Sequence, residues 1–265
     1  MNEKDLIWQQ AKFSALLEAC SHAINRARYV FAIINIAGIA ILAALFNSTL
    51  PWLRNAIERA KLAIPPPDHL PFIKHTMYEE LWTISIPLLG IKFSVFDVSV
   101  IGSTCLFVLA LWYYYSVRRE NQVVHIVVGE ANSALAESKE CARYLYHGIA
   151  HYFVFTTRLE ANIPAGQVPL AGPTAAIRAL LYMPAWVPLL IVISDLFTVV
   201  APYKLAFDPA NALWTHLSTP EKSEVIIRLV FALTATFCSY RLCRQSVLFD
   251  TATRRELEDL QSKIR

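Results

Sequence analysis

Long runs of apolar residues with almost no charge constrain this chain more than any other feature of its sequence. A helix needs roughly 18 or more such residues to cross a hydrocarbon core about 30 Å thick. A backbone in lipid must satisfy its own hydrogen bonds, so continuous apolar runs predict helices, whereas a barrel would alternate apolar and polar residues. The predicted spans are residues 29–50, 95–117, 179–201 and 225–242.

The sequence therefore predicts an all-α integral membrane protein with four transmembrane helices, long amphipathic cytoplasmic helices and a small external loop subdomain. Its charged fraction of 17% fits, because soluble domains average about 25%. The remaining segments are a cytoplasmic helix (1–28), an external loop (51–94), a cytoplasmic helical loop (118–178), a second external loop (202–224) and a cytoplasmic C-terminal helix (243–265).

The distribution of Lys and Arg orients the chain. With the N-terminus inside, the inner segments hold roughly 16 of these residues and the two outer loops roughly 7, as the positive-inside rule requires. Neither outer loop contains a cysteine, which fits reduced thiols rather than a disulfide framework. We therefore expect both termini in the cytoplasm, and a bacterial inner (plasma) membrane as the location.

The inner segments carry apolar residues at helical spacing. The N-terminal segment continues without glycine or proline into the first span, so one continuous helix is expected there. The segment after the second span also lacks proline as far as residue 159, and the proline-rich stretch 162–173 then ends it. With the C-terminal tail, these segments predict a cytoplasmic helical bundle or an oligomerisation collar.

The first external loop has the pattern of a small folded subdomain. Pro51 is placed to open a short helix that Pro65 to Pro67 would end, and a second short helix is predicted at residues 77–81. The run WTISIPLLGIKFSVF has the β-branched residues and the glycine of a β-hairpin. A short external hairpin or a re-entrant edge is expected here.

Charged residues inside the spans are the first candidates for a functional site. Asp195 lies in the third span and Arg228 in the fourth, and a short loop would bring the two to similar depth. A charge in lipid costs about 2.5–3.5 kcal/mol on insertion scales and normally faces the bundle interior. The two charges are interpreted either as part of an ion path or, as the sequence favours, as an ion pair that fixes helix register or an Arg228 side chain that snorkels outward.

Four further residues of the spans are candidates for smaller roles. Asn35 and Asp97 are intramembrane polar residues, interpreted as a packing contact and as a carboxylate near a helix N-terminus. Pro184 and Pro188 are expected to bend the third span, as a gate or as a structural kink.

The sequence carries no recognisable chemical signature. His147 and His151 are four residues apart on a predicted helix, which is metal-ligand spacing, but without a third ligand they are interpreted as surface or packed histidines. No phosphate-binding glycine loop, nucleophile motif or cofactor motif occurs. We expect no enzyme activity, cofactor, metal or direct nucleic-acid binding.

Two functions remain. The first is a membrane anchor or sensor that recruits a soluble cytoplasmic partner through its inner helices. The second is an oligomeric ion channel or a pore-forming effector that alters membrane permeability. The long helices predicted on the inner side favour the anchor or sensor, and the charges in the spans favour the channel or effector. The expected partners are the lipid bilayer, further copies of the chain and a soluble protein.

Overall fold

The fold comes from a computed structural model. It describes residues 3–62, 83–86, 91–152, 179–200, 214 and 218–264. Five helices and two strands account for nearly all of them. They are α1 (Glu3–Leu62), β1 (Thr83–Ile86), β2 (Ile91–Ser94), α2 (Val95–Glu137), α3 (Lys139–Tyr152), α4 (Met183–Val200) and α5 (Thr219–Ile264).

Three of these helices are much longer than a bilayer is thick. Helix α1 has 60 residues, α2 has 43 and α5 has 46. At 1.5 Å per residue they measure about 90, 65 and 69 Å, against a hydrocarbon core of about 30 Å. The predicted continuity of the N-terminal helix with the first apolar run is confirmed, because α1 contains both without a break.

Three helices in the described part of the chain contain apolar runs long enough to cross a membrane. They are described over Trp8–Phe46, Val100–Ala136 and Lys222–Ile264. Helix α4 is also apolar, but its described apolar part, Met183–Ser194, is shorter than a span. The chain is therefore a helical protein with three candidate membrane-spanning helices.

The first external loop differs from its predicted layout at its start. Helix α1 continues through Pro51 to Leu62, so the predicted separate helix is an extension of α1. A proline removes one backbone hydrogen bond, and the helix continues on both sides of it. The predicted helix at residues 77–81 and the proline run from Pro65 to Pro67 lie outside the described residues.

Strands β1 and β2 form a two-stranded antiparallel sheet within the stretch where the sequence predicts a hairpin. Thr83 lies opposite Ser94, and Ile86 lies opposite Ile91. The residues that connect the strands, 87–90, lie outside the described ones.

The chain divides into two compact units. Unit 1 contains Met1–Ile34, Leu109–Tyr182 and Arg241–Arg265. Unit 2 contains Asn35–Val108 and Met183–Tyr240. In the topology predicted from sequence, most of unit 1 is cytoplasmic, and most of unit 2 belongs to the spans and outer loops.

Unit 1 has an apolar core of its own, to which α1, α2, α3 and α5 all contribute. We call its larger part the first apolar cluster: Cys20, Ile24, Val124, Val127, Val128, Ala131, Ala142, Leu145, Tyr146, Ile149, Leu257, Leu260 and Ile264. The second apolar cluster contains Ala27, Val30, Ile34, Tyr113 and Val117, with Phe31, Leu109, Leu181 and Phe249 packed against it.

Polar contacts connect the helices of unit 1 across this core. Lys12 Nζ on α1 donates to Glu130 Oε2 on α2 at 2.6 Å. His125 Nδ1 on α2 lies 3.1 Å from the Glu256 carboxylate on α5. Since these groups are partly exposed, each ion pair contributes at most about 1 kcal/mol, so burial of the apolar clusters dominates the stability of the unit.

Unit 2 packs α4 against α1 and α2. Met183, Val187 and Ile191 of α4 are buried in one cluster with Leu106 of α2. At Gly38 of α1 a β-carbon would overlap the Met183 side chain. A larger residue at Gly38 would therefore require the flexible Met183 side chain to move.

Candidate functional site

A glutamate interrupts the buried stripe of α2 in unit 1. The buried positions along this helix follow a spacing of three and four residues that brings them to one face. Tyr113, Val117, Val124 and Val127 occupy this stripe, and Glu120 takes the place of an apolar residue between them. Only 9% of Glu120 is exposed, and a buried carboxyl group is costly unless it is paired or protonated.

Glu120 lies among polar residues near the boundary between the two apolar clusters. Along α2 it lies between Val117 of the second cluster and Val124 of the first. The other helices have polar residues at the corresponding level. We call this set the polar layer: Arg28 from α1, Ser116, Glu120 and Asn121 from α2, and Ser246, Asp250 and Thr253 from α5.

Hydrogen bonds satisfy the neutral members of the polar layer. Asn121 Nδ2 donates to Thr253 Oγ1 at 2.6 Å and to the Phe249 carbonyl at 3.3 Å, which connects α2 to α5. The hydroxyls of Ser116 and Ser246 donate to carbonyls of their own helices. A satisfied polar network in a bundle fixes which residues of the helices face one another, because sliding a helix would break it.

Arg28 and Asp250, the other charged members of the polar layer, shift the pKa of Glu120 in opposite directions. The apolar run of α2 ends at Val117 and is followed by the exposed Arg118 and Arg119, so Glu120 lies beyond the predicted span. Burial raises the pKa of Glu120 to about 8, the negative charge of Asp250 adds to this rise, and the positive charge of Arg28 lowers it. The protonated form of Glu120 is therefore favoured at neutral pH.

A thiol lies close enough to Glu120 to be affected by its charge. Cys20 of α1 is fully buried. Burial raises the pKa of this thiol to about 12, and the negative charge of Glu120 contributes. A thiol in such surroundings stays protonated and unreactive at neutral pH. The polar layer is therefore suited to holding a proton on a carboxyl group and not to nucleophilic chemistry at Cys20.

Only one member of the charge pair expected in the spans, Arg228, has a described side chain. Arg228 on α5 is half-buried and forms an ion pair with Glu224, one turn earlier on the same helix. Asp195 lies on α4, and its side chain is outside the described ones. The pairing of Asp195 with Arg228 therefore stays a prediction.

The two prolines have different positions in α4. A turn at Tyr182 separates residues 179–181 from α4, which begins at Met183. Pro184 thus lies in the first turn, where a proline removes no helical hydrogen bond. Pro188 lies inside the helix, and both rings are buried. Of the two, Pro188 alone is placed to bend the helix, and a gating role stays a prediction.

The remaining sequence candidates lie apart from the polar layer in the chain. Asn35 is half-buried on α1 in unit 2. Asp97 is the third residue of α2, a position where the helix dipole favours a carboxylate. His147 on α3 is exposed, with its ring 5.5 Å from that of Tyr146, and the His151 side chain is outside the described ones. Among the described residues no group of three or more His, Cys, Asp or Glu could hold a metal ion.

The sequence contains a periodic pattern that points to Glu120, although Glu120 lies outside the predicted spans. Residues 113, 117, 120, 124, 127 and 131 follow alternating steps of four and three, the pattern of one helix face. Five of them are Tyr, Val or Ala, and the sixth is the glutamate. A carboxyl group at a core position of a predicted bundle indicates a special environment.

Comparisons with known proteins add no relative to these observations. No protein-family model matches the chain, and neither the curated proteins nor the solved structures include a significant match.

Proposed function

We propose that the chain is a non-enzymatic membrane anchor or sensor, whose four spans hold a cytoplasmic helical bundle that recruits a soluble protein. The observation that carries this proposal is the independent core of unit 1. Its first apolar cluster is built from parts of α1, α2 and α5 beyond the predicted spans, together with α3. A chain that only crossed the membrane would need its spans to pack together, but it would not need a separate apolar core beyond them.

The fourth span of this proposal is α4. Its 18 residues measure about 27 Å, close to the thickness of the hydrocarbon core. One face, with Val187 and Ile191, is buried against other helices of unit 2, while Ile193 and Leu196 are exposed. A helix with a packed apolar face and an exposed apolar face suits a position at the edge of a bundle in lipid.

Four spans place both termini on the same side, and the positive-inside rule makes that side the cytoplasm. The chain would then lie in the inner membrane of a bacterium. Strands β1 and β2 would form a hairpin on the outer side, within the small external subdomain, where a sensor would meet its signal.

The described interior of unit 2 favours an anchor over an oligomeric channel or pore-forming effector. Its buried side chains are mostly apolar, and the buried polar residues described there are Ser103 and Ser239. A conducting path would need a ring or column of charged or polar groups. The channel remains the second candidate because Asp195 and Arg228 lie within the predicted spans.

The outer surface of unit 1 offers positions at which a partner can be detected. Trp8, Ile126, Tyr144 and Leu248 are large apolar residues with more than half of their surface exposed. They lie outside the predicted spans, so lipid does not cover them in this proposal. Aromatic residues are enriched where proteins meet, which makes Tyr144 on α3 the first choice for a probe.

Site-specific photocrosslinking in native membranes tests the anchor. A photoreactive residue at Tyr144 is expected to crosslink a soluble protein, because α3 belongs to the proposed cytoplasmic bundle. The matched control is the same residue at Ile193 of α4, which is similarly exposed but faces lipid in this proposal. It should crosslink no soluble protein.

Ion flux through liposomes that contain the purified chain tests the alternative. The anchor predicts no flux above that of empty liposomes. Two results together would favour the channel over the anchor. One is ion flux that is lost on Asp195→Asn, and the other is the absence of a crosslink to any soluble protein at Trp8, Ile126, Tyr144 or Leu248.

A further inference from the structure

Arginines are concentrated at one level of unit 1, where three helices meet in the second apolar cluster. Residues 24–34 of α1, 109–119 of α2 and 241–249 of α5 supply most of this cluster. The three segments contain six arginines but no lysine, aspartate or glutamate. Five of these arginines have exposed side chains, and we call them the arginine band: Arg26, Arg118, Arg119, Arg241 and Arg244.

The surface at the level of the arginine band is strongly positive. The first acidic residues beyond the segments of α2 and α5 are Glu120, which is buried, and Asp250, which is half-buried. Neither carboxyl group is fully presented to the outside, where the five guanidinium groups lie. An anion that approaches this level from outside therefore meets mainly positive charge.

Most members of the arginine band have no carboxylate partner in the chain. Cations elsewhere in unit 1, such as Lys12 and Lys263, form ion pairs with Glu130 and Asp259. Within the described residues, no ion pair is formed by four members of the band, namely Arg26, Arg118, Arg119 and Arg244. Their guanidinium groups are available to an anion from outside the chain.

The arginine band lies where the predicted spans reach the inner surface of the membrane. Each of its members is within three residues of the inner end of a predicted span. Exposed aromatic residues lie on the span side of the arginines: Tyr29 follows Arg26 by one turn of α1, and Trp112 and Tyr115 precede Arg118 on α2. Tryptophan and tyrosine are enriched at the level of lipid headgroups, so the arginines are placed at the depth of lipid phosphates.

We propose that the arginine band binds anionic phospholipids of the inner leaflet, whose headgroups add no positive charge to the phosphate. Guanidinium groups form bidentate, charge-assisted hydrogen bonds with phosphate. A zwitterionic lipid brings its own ammonium group, which the neighbouring arginines repel. The inference rests on the proposed function, because the spans of the anchor place the band at the membrane surface.

Native mass spectrometry of the full, delipidated chain in detergent tests the proposal. The chain is mixed with equal amounts of phosphatidylglycerol and phosphatidylcholine that have identical acyl chains, and the ratio of the two bound lipids is measured. The unsubstituted chain should prefer phosphatidylglycerol. Arg118→Gln combined with Arg119→Gln should reduce this preference by about fivefold for each arginine removed.

The matched control is Arg143→Gln combined with Arg255→Gln. It removes the same charge from exposed side chains of unit 1, but Arg255 lies about 16 Å farther along α5 than Arg244. This control should keep the preference for phosphatidylglycerol. Arg26→Gln combined with Arg244→Gln changes two other helices and should reduce the preference, which keeps the test decisive if the variant on α2 does not fold.

Glycerol phosphate, the headgroup chemistry without acyl chains, distinguishes a lipid from a free phosphate ester. At the same concentration it should not displace phosphatidylglycerol, because the apolar faces of the spans and the rings of Trp112 and Tyr115 contact only a ligand that has acyl chains. Equal competition by glycerol phosphate would overturn the assignment of a lipid.

Equal binding of the two lipids by the unsubstituted chain would also overturn the proposal. The same holds if the control variant loses as much preference as the variant on α2, because the effect would then follow total charge and not the arginine band. Photocrosslinking at Tyr144 reports on a soluble protein. A missing crosslink with an intact lipid preference therefore rejects recruitment alone, and the reverse result rejects lipid binding alone.

Discussion

Replacing Leu257 with alanine is expected to lower the free energy of unfolding of the purified chain by about 2–5 kcal/mol. Leu257 lies in the first apolar cluster with no exposed surface. Its truncation removes buried apolar contacts and leaves a cavity among α1, α2 and α5. In thermal unfolding followed by tryptophan fluorescence, this loss corresponds to a midpoint lower by roughly 5–15 °C.

The matched control for this variant is Leu248→Ala on the same helix. Leu248 is 61% exposed, and a surface substitution of this kind changes stability by about 0.5 kcal/mol or less. If the two variants unfold at the same temperature, the C-terminal part of α5 is not packed in a bundle, and unit 1 has no core of its own.

Replacing the half-buried Arg28 with methionine is expected to lower the free energy of unfolding by about 1–2 kcal/mol. The methionine keeps most of the apolar stem of the side chain, so the loss reports mainly on charge. The positive charge of Arg28 lowers the pKa of Glu120, against the effect of the negative charge of Asp250. Without it, the negative charge of Asp250 acts on Glu120 with no opposing positive charge from Arg28. Thermal unfolding at pH 7 measures the effect.

Arg26→Met is the matched control, because Arg26 lies two residues earlier on α1 and is exposed. It should unfold close to the wild-type temperature. Adding Asp250→Asn to Arg28→Met should recover part of the loss, since it removes the negative charge whose effect on Glu120 Arg28 opposes. Equal effects of Arg26→Met and Arg28→Met would mean that Arg28 has no role in the polar layer.

The helices of this chain could be predicted from its sequence because their signals are local. The continuity of α1 follows from the absence of glycine and proline between residues 5 and 28 and the first span. The long helix after the second span was also predicted, and the structure ends α2 at Glu137 and begins α3 at Lys139. Such patterns need no knowledge of which helices pack together.

The polar layer could not be predicted as a site, because it depends on contacts between distant parts of the chain. Arg28 and Asp250 act on Glu120 although they are far from it in sequence. Glu120 follows Arg118 and Arg119 directly, within a short run of charged residues just after the second predicted span. Its burial depends on where α1 and α5 lie, which periodicity on α2 alone does not determine.

The effect of the prolines was also difficult to predict from sequence, because it depends on where a helix begins. Pro51 has the pattern of a helix start, yet it lies inside α1. Pro184 lies one residue after the start of α4 and just after the turn at Tyr182, and the bend expected there stays a prediction. The backbone hydrogen bonds of the neighbouring residues decide between these outcomes.

Membrane-impermeant thiol labelling at the two ends of α5 tests most directly whether the bundle lies inside the cell and is held there by spans. Ser223→Cys and Leu248→Cys place thiols at exposed positions about 37 Å apart along the helix, more than the thickness of the hydrocarbon core. Ser223→Cys should be labelled only in right-side-out vesicles, and Leu248→Cys only in inside-out vesicles. In each case the labelling of the unsubstituted chain is subtracted as the background. Labelling of both in the same vesicles, or of Leu248→Cys from outside, would contradict a cytoplasmic bundle.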